Sequence, residues 1–142
     1  MIGAIPLPKR LTMYLVDTNI ISELARPAPN AGVLAWAGTV TTITLSVVTL
    51  EEIFYGLTWK PSPRIRAWFE QFLQTRCTIL PIITDIARQG GQLRGTLQAQ
   101  GKTRSQADML IAATAQIHQL TVVTHNVRDF EDCGISILNP FL

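Results

Sequence analysis

Short apolar runs alternate with segments of helical periodicity along the chain. The runs, several of them rich in β-branched residues, predict strands at 11–16, 42–48, 78–83 and 120–124, with 135–138 as a candidate fifth strand. Apolar residues at helical spacing predict helices at 18–26, 30–38, 50–59, 85–100 and 106–119, and another through Ile65, Trp68, Phe69, Phe72 and Leu73. Alternating strands and helices are typical of a parallel sheet covered by helices. We therefore predict one α/β domain with a mainly parallel sheet of four to five strands.

The start of the chain departs from this pattern. Residues 1–12 are interrupted by prolines and are predicted to be an N-terminal extension, with disorder as one expectation, before a domain spanning 13–142. The pair Lys9-Arg10 follows the first apolar stretch, whereas a signal peptide has its basic residues first. No run approaches the roughly 20 apolar residues of a membrane-spanning helix, so no membrane association is expected.

Composition adds little about function. Hydrophobic residues make up 47% of the chain and charged residues 15%, below the roughly 25% of typical soluble domains, which indicates a surface partly buried against a partner. The net charge of +2 permits phosphate contacts without marking a nucleic-acid-binding protein. Cys77 and Cys133 are isolated, which favours a reduced, cytoplasmic protein.

Three acidic residues stand where predicted helices begin after strands: Asp17, Glu52 and Asp108. In parallel α/β sheets, functional groups collect beyond the carboxyl ends of the strands. Each acid also has a simpler interpretation. Asp17 could equally be a helix cap, and Glu52 taken alone is better explained by a capping box with Thr49. Asp108 precedes the very apolar helix 106–119 and is the hardest to explain in this way.

A shared hollow for the three acids would give them a chemical role. Carboxylates ~5 Å apart repel by roughly 3 kcal/mol per pair at an effective dielectric constant of ~20. The cluster becomes favourable around Mg²⁺ or Mn²⁺, which can activate water and stabilise charge on a phosphate without a protein nucleophile. Asn126 and Asp129, after strand 120–124, could contact a metal-bound water or could form a turn. We therefore predict metal-dependent phosphodiester chemistry.

Four segments stand out, in order, along the chain. They read MYLVDTN at 13–19, TLEEIFYG at 49–56, ADMLIAATA at 107–115 and VTHNVRDF at 123–130. Together they resemble the PIN-domain ribonucleases, and most of all the VapC-type toxins of bacterial toxin–antitoxin pairs. The ending LNPF at 138–141 resembles the FitB-like branch of these toxins. The similarity covers the chain from Met13 onward, and four motifs at compatible spacing are specific.

The resemblance implies a PIN-like nuclease domain over 13–142 and a cytoplasmic Mg²⁺- or Mn²⁺-dependent endoribonuclease. It also implies a toxin that forms a homodimer and assembles with a VapB-like antitoxin into a heterotetramer or larger complex. By position, Asp17 and Asp108 match the principal metal ligands and Glu52 matches the third acid. Thr18 and Asn19 match the positions that support the first acid. Asn126 stands where several relatives have an acid, which leaves a second metal site open, with Asp129 as a substitute.

Two other functions fit parts of the pattern. A catalytically silent PIN-like module that binds RNA or protein is suggested by Asn126. A phosphoacceptor receiver domain also clusters acids, but it uses a lysine late in the chain, and no lysine follows Lys102 here. Trp36, Trp59, Trp68 and Phe72 are candidate interface anchors, with burial in the core as the alternative.

Overall fold

The computed structural model describes residues 14–142, so the predicted extension 1–12 lies outside the described residues. The strands are β1 Tyr14–Val16, β2 Ile43–Ser46, β3 Cys77–Leu80, β4 Thr121–Val123 and β5 Ile137–Leu138. The helices are α1 Thr18–Leu24, α2 Ala31–Ala37, α3 Val47–Trp59, α4 Pro63–Arg76, α5 Thr84–Ala99 and α6 Gln106–His118, with a short 3-10 helix at Val127–Phe130. Within 14–142 every predicted element is present, although most ends differ by a few residues.

The five strands form one parallel sheet in the order β3-β2-β1-β4-β5. Leu15 is in register with Thr44 on one side and with Val122 on the other. Strands β2 and β3 are added on one side of β1, and strands β4 and β5 are later added on its other side. The direction of addition therefore reverses between β1 and β4. In α/β proteins, ligands bind in the crevice at the carboxyl ends of the strands where such a reversal occurs.

The central strands are buried on both faces, and alternate residues enter different cores. Val16 and Val123 pack with helices α1 to α4, whereas Leu15 and Val122 pack with α5 and α6. Each of these four side chains is fully buried. The sheet is therefore the middle of three layers, with helices packed on both of its faces.

Helix α5 is continuous although its glycines weaken the helical pattern. Gly90 is buried against α6, and a Cβ there would lie 3.0 Å from Leu110 Cδ2 and 3.4 Å from the Met109 carbonyl oxygen. The glycine thus lets the two helices approach closely. Gly101, with φ of +81°, follows the end of the helix as its sequence position predicts.

Two predicted boundaries were wrong for identifiable reasons. Helix α3 begins at Val47 rather than at 50, because Ser46 is its N-cap and accepts a hydrogen bond from the Val48 amide. Strand β3 ends at Leu80, before Pro81, which has no N–H to extend the strand pairing. Among the helices of residues 14–142, none has the length and apolar content needed to cross a bilayer.

Candidate active site

Asp17 lies at the junction of β1 and α1, and its carboxylate is almost completely buried, at 6% exposure. Its Oδ1 accepts a hydrogen bond from the Thr18 amide at 2.8 Å, which caps the helix. Its Oδ2 accepts from Asn19 Nδ2 at 2.9 Å and from Thr124 Oγ1 at 2.8 Å. The capping interpretation is therefore correct, but these three bonds leave lone-pair capacity on a carboxylate, which offers about four acceptor positions.

Thr124 connects the ends of β1 and β4. It is fully buried, donates to Asp17 and accepts from the Asn126 amide at 3.0 Å. Asn19 reaches the same segment, since its Oδ1 accepts from the His125 amide at 2.9 Å. The sequence pattern assigned a supporting role to Asn19 but missed Thr124, although a polar residue directly after two buried valines of a central strand was a usable signal.

Glu52 joins this group from the first half of α3. Its Oε1 accepts from Thr18 Oγ1 at 2.8 Å, a contact that links two distant stretches of the chain. The capping-box interpretation was wrong, because Thr49 lies inside the helix and Ser46 provides the cap. Burial is the main cause that raises the pKa of Glu52, and the negative charges of Asp17 and Glu51 raise it further.

Asp108 lies in the first turn of α6 and is half-buried. Ser105 caps this helix, with its Oγ accepting a hydrogen bond from the Asp108 amide at 3.0 Å. Burial is the largest cause that raises the pKa of Asp108 to about 6, and the charges of Asp17, Asp129 and Glu52 contribute in the same direction. The four acids are thus electrostatic neighbours.

No cation neutralises the group within residues 14–142, where the ion pairs involve other acids. Arg104, the base nearest to Asp108 in sequence, donates instead to the backbone carbonyls of Asp129 and Glu131. This guanidinium therefore holds the 3-10 helix, at whose start Asn126 lies. Asn126 and Asp129 are both exposed at the rim.

The residues fit a hard divalent cation in kind, since they are carboxylates whose protonation is favoured by burial and mutual repulsion. Across 14–142, no three acidic, histidine or cysteine side chains are arranged to hold an ion together. A closed cage of three carboxylates is therefore not formed. Mg²⁺ commonly keeps several waters and uses one or two carboxylates, so an open, water-rich site remains compatible with these groups.

A family model of the PIN domain matches residues 14–134. The chain belongs to the PIN-domain family. The VapC ribonuclease Y4jK of Sinorhizobium fredii is 35% identical over 137 residues, which cover 91% of this chain and 98% of that protein. The toxin FitB of Neisseria gonorrhoeae is 34% identical over 137 residues, covering 91% and 99%. The resemblance found in the four motifs is confirmed.

Solved structures agree with this PIN-domain fold. The crystal structure of FitAcB from Neisseria gonorrhoeae matches with a TM-score of 0.77 and 33% identity, covering 90% of this chain and 98% of that one. The DNA-bound VapBC of Salmonella typhimurium matches with a TM-score of 0.78 and 31% identity, covering 89% and 96%. The prediction of a PIN-like parallel α/β domain is confirmed.

Among the predicted aromatic anchors of this PIN domain, Trp36 and Phe72 belong to the core. Trp68 is half-buried and stacks on Phe72 with ring centroids 4.7 Å apart. Trp59 is 70% exposed, and Tyr55, which the sequence pattern did not single out, is 66% exposed on the same helix. The apolar surface available for a partner therefore includes one face of α3.

Thr124 gives a direct test of the hydrogen-bond network. We expect Thr124→Val to lower the free energy of unfolding by about 1–3 kcal/mol, because Asp17 loses a donor and the Asn126 amide loses its acceptor. Urea denaturation measures this loss. Thr49→Val is the matched control, since Thr49 is equally buried and its hydroxyl has no partner within 14–142. Equal destabilisation of the two variants would contradict the expectation.

Proposed function

We propose that this PIN domain is a metal-dependent endoribonuclease, the toxin of a VapBC-type toxin–antitoxin pair. The observation that carries the proposal is the group of Asp17, Glu52 and Asp108 at the carboxyl edge of the sheet. Their charges act on one another, Thr18 bonds to Glu52, and no cation neutralises them in the described part of the chain. Relatives named as ribonucleases, at about a third identity over nearly their whole length, support the same reaction.

Asp17, Asp108 and Glu52 would hold Mg²⁺ or Mn²⁺, directly or through water. The bound ion would supply activation of a water molecule and stabilisation of charge on the scissile phosphate. The protein contributes orientation, since Asp17 is fixed by three hydrogen bonds and Glu52 by the Thr18 hydroxyl. Asn126 and Asp129 lie at the rim, where they would orient the water shell or the RNA backbone.

The proposed partner is a VapB-like antitoxin. A solved structure described as a toxin–antitoxin complex from Klebsiella pneumoniae, 25% identical with a TM-score of 0.72, supports this partner. We propose an assembly of heterotetramer size or larger. A groove is lined by Thr18, Glu52, Ile53, Leu57 and Trp68, among others. An antitoxin segment in this groove would cover apolar surface and contact Glu52. A homodimer is proposed as the toxin's own assembly.

Metal dependence is the first test of the proposed reaction. We expect the purified protein to cleave single-stranded RNA with Mg²⁺ or Mn²⁺, to stop when EDTA is added and to resume when either ion is restored in excess. Gel analysis of end-labelled RNA measures the products. Ca²⁺ is the control ion, because it also prefers oxygen ligands but accepts longer and less regular coordination. Undiminished cleavage in EDTA would refute the proposed chemistry.

A silent binding module is the second candidate, and the exposed Asn126 in place of an acid is the observation that favours it. A magnesium titration distinguishes the two functions. The nuclease requires metal-dependent cleavage, whereas a silent module would bind RNA or antitoxin without any cleavage across the titration. The variant Asn126→Asp extends this test. If it gains RNA cleavage that the wild type lacks, the absence of cleavage is caused by Asn126.

A further inference from the structure

The segment 139–142 after β5 runs back over the first turn of α2 and is fastened there. The Asn30 side chain accepts from the Leu142 amide at 3.1 Å and donates to the Leu142 carbonyl oxygen at 3.1 Å. The same Asn30 Oδ1 caps α2 by accepting from the Gly32 amide. Any Cβ at Gly32 would collide with the Pro140 carbonyl oxygen, so the segment lies directly on the helix.

This segment presents the Phe141 ring to the active-site loop. Phe141 and His125 are stacked with ring centroids 4.0 Å apart and ring planes 22° apart. His125 precedes Asn126 and follows Thr124, so it lies in the middle of the loop that leaves β4. The backbone of this loop bonds to the groups around Asp17, through His125 N–H to Asn19 and Asn126 N–H to Thr124.

We propose that Phe141 is a positioning residue of the active site: its stacking on His125 fixes the loop 124–126 against Asp17. The inference rests on the proposed nuclease function and deepens it, because it adds a residue that touches neither RNA nor metal. The Phe141 ring acts through His125 on Asn126 and on the hydrogen-bond partners of Asp17.

The surroundings explain why the loop requires such support. His125 and Asn126 are exposed, so burial contributes little to holding them. Backbone hydrogen bonds in exposed loops open readily. The Phe141 side is held at both ends, by the pairing of β5 with β4 and by the Asn30 contacts on α2. The Phe141 ring, held at both ends, therefore restricts the motion of the exposed His125 ring and of the loop that carries it.

The test compares Phe141→Ala with Phe141→Trp and with Leu142→Ala, an exposed apolar neighbour outside the stack. Phe141→Ala is expected to lower kcat about tenfold with little change in KM, since misplacement of catalytic groups is costly. Hydrogen exchange at the His125 and Asn126 amides, followed by NMR, is expected to accelerate about tenfold. Phe141→Trp should retain both properties, and Leu142→Ala should resemble the wild type.

A double-mutant cycle with His125→Ala shows whether Phe141 acts through His125. If it does, the double variant loses no more activity than His125→Ala alone. Multiplicative losses would overturn the inference, as would unchanged amide exchange in Phe141→Ala with only a lower Tm. The exchange experiment needs no activity, so a wild-type protein that cleaves no RNA would refute the proposed function while the amides still decide the role of Phe141.

Discussion

Asp17→Asn is expected to abolish RNA cleavage, with a loss of about a thousandfold or more. Asp17 is the most buried of the proposed metal ligands and lies between the strand ends that form the crevice. The substitution removes its charge and places an NH₂ group opposite a donor, either the Thr18 amide at Oδ1 or both Asn19 and Thr124, which share Oδ2. Loss of a ligand that fixes both ion and water removes an interaction made in the transition state.

The same change disturbs the fold, so stability must be measured beside cleavage. Mismatched hydrogen bonds at Asp17 should cost about 1–3 kcal/mol, which a domain with the usual stability of about 5–15 kcal/mol tolerates. Single-turnover cleavage and circular dichroism are the two measurements. Asp85→Asn is the matched control, because Asp85 is an exposed first-turn acid of α5 and is not among the charges that act on Glu52 or Asp108. Retained cleavage in folded Asp17→Asn would refute the assignment.

The fold was largely predictable because its signals are local. Apolar runs bounded by caps and glycines fixed the order of strands and helices, and their alternation indicated a parallel sheet. Exact ends were less predictable, since they depend on which hydroxyl makes the cap. Ser46 and Thr49 are both suitable caps in sequence, and only the three-dimensional path shows that the Ser46 hydroxyl meets the helix start.

The candidate site was predictable in its acids but not in their connections. Asp17, Glu52 and Asp108 stand out because acids at strand-to-helix junctions are conspicuous. The pairing of Glu52 with Thr18 joins residues 34 positions apart, and that of Thr124 with Asp17 joins residues 107 apart. Such contacts follow from strand order, which periodicity does not reveal. The stacking of Phe141 on His125 was inaccessible for the same reason.

The stacked pair and the acidic group also suggest a division of labour. Asp17 and Thr124, at the ends of β1 and β4, are buried and hydrogen-bonded to each other, whereas Asn126 and Asp129 at the rim are exposed. Buried and hydrogen-bonded oxygens suit the binding of Mg²⁺, which requires a regular arrangement of ligands. An exposed rim suits a long RNA substrate, which must enter and leave. The proposed support from Phe141 would limit how far that rim moves.

Asp108→Asn is expected to stabilise the metal-free protein at pH 7.5 and to remove its stabilisation by Mn²⁺. Ionised Asp108 gains about 0.3–1 kcal/mol from the start of α6. Burial and the neighbouring charges outweigh this gain, because the pKa of Asp108 rises from 3.8 to about 6. After allowance for solvent screening of a half-buried group, removing the charge should add on the order of 1 kcal/mol.

The pH dependence gives the sign of this effect. A carboxyl group whose pKa is higher in the folded state contributes stability below its unfolded pKa, and that contribution is lost as the pH rises through the folded pKa. The stability difference between Asp108→Asn and the wild type should therefore be small near pH 4, grow through pH 6 and level off by about pH 7.5. Metal-free thermal melts across this range measure this stability difference, with Asp85→Asn as the control.

Adding Mn²⁺ at pH 7.5 should then raise the wild-type Tm and leave that of Asp108→Asn unchanged, because the ion binds the folded state only where the carboxylate remains. A difference that shrinks as the pH rises would contradict the destabilising effect of the Asp108 charge. An equal Mn²⁺ effect in both proteins would contradict its role as a metal ligand.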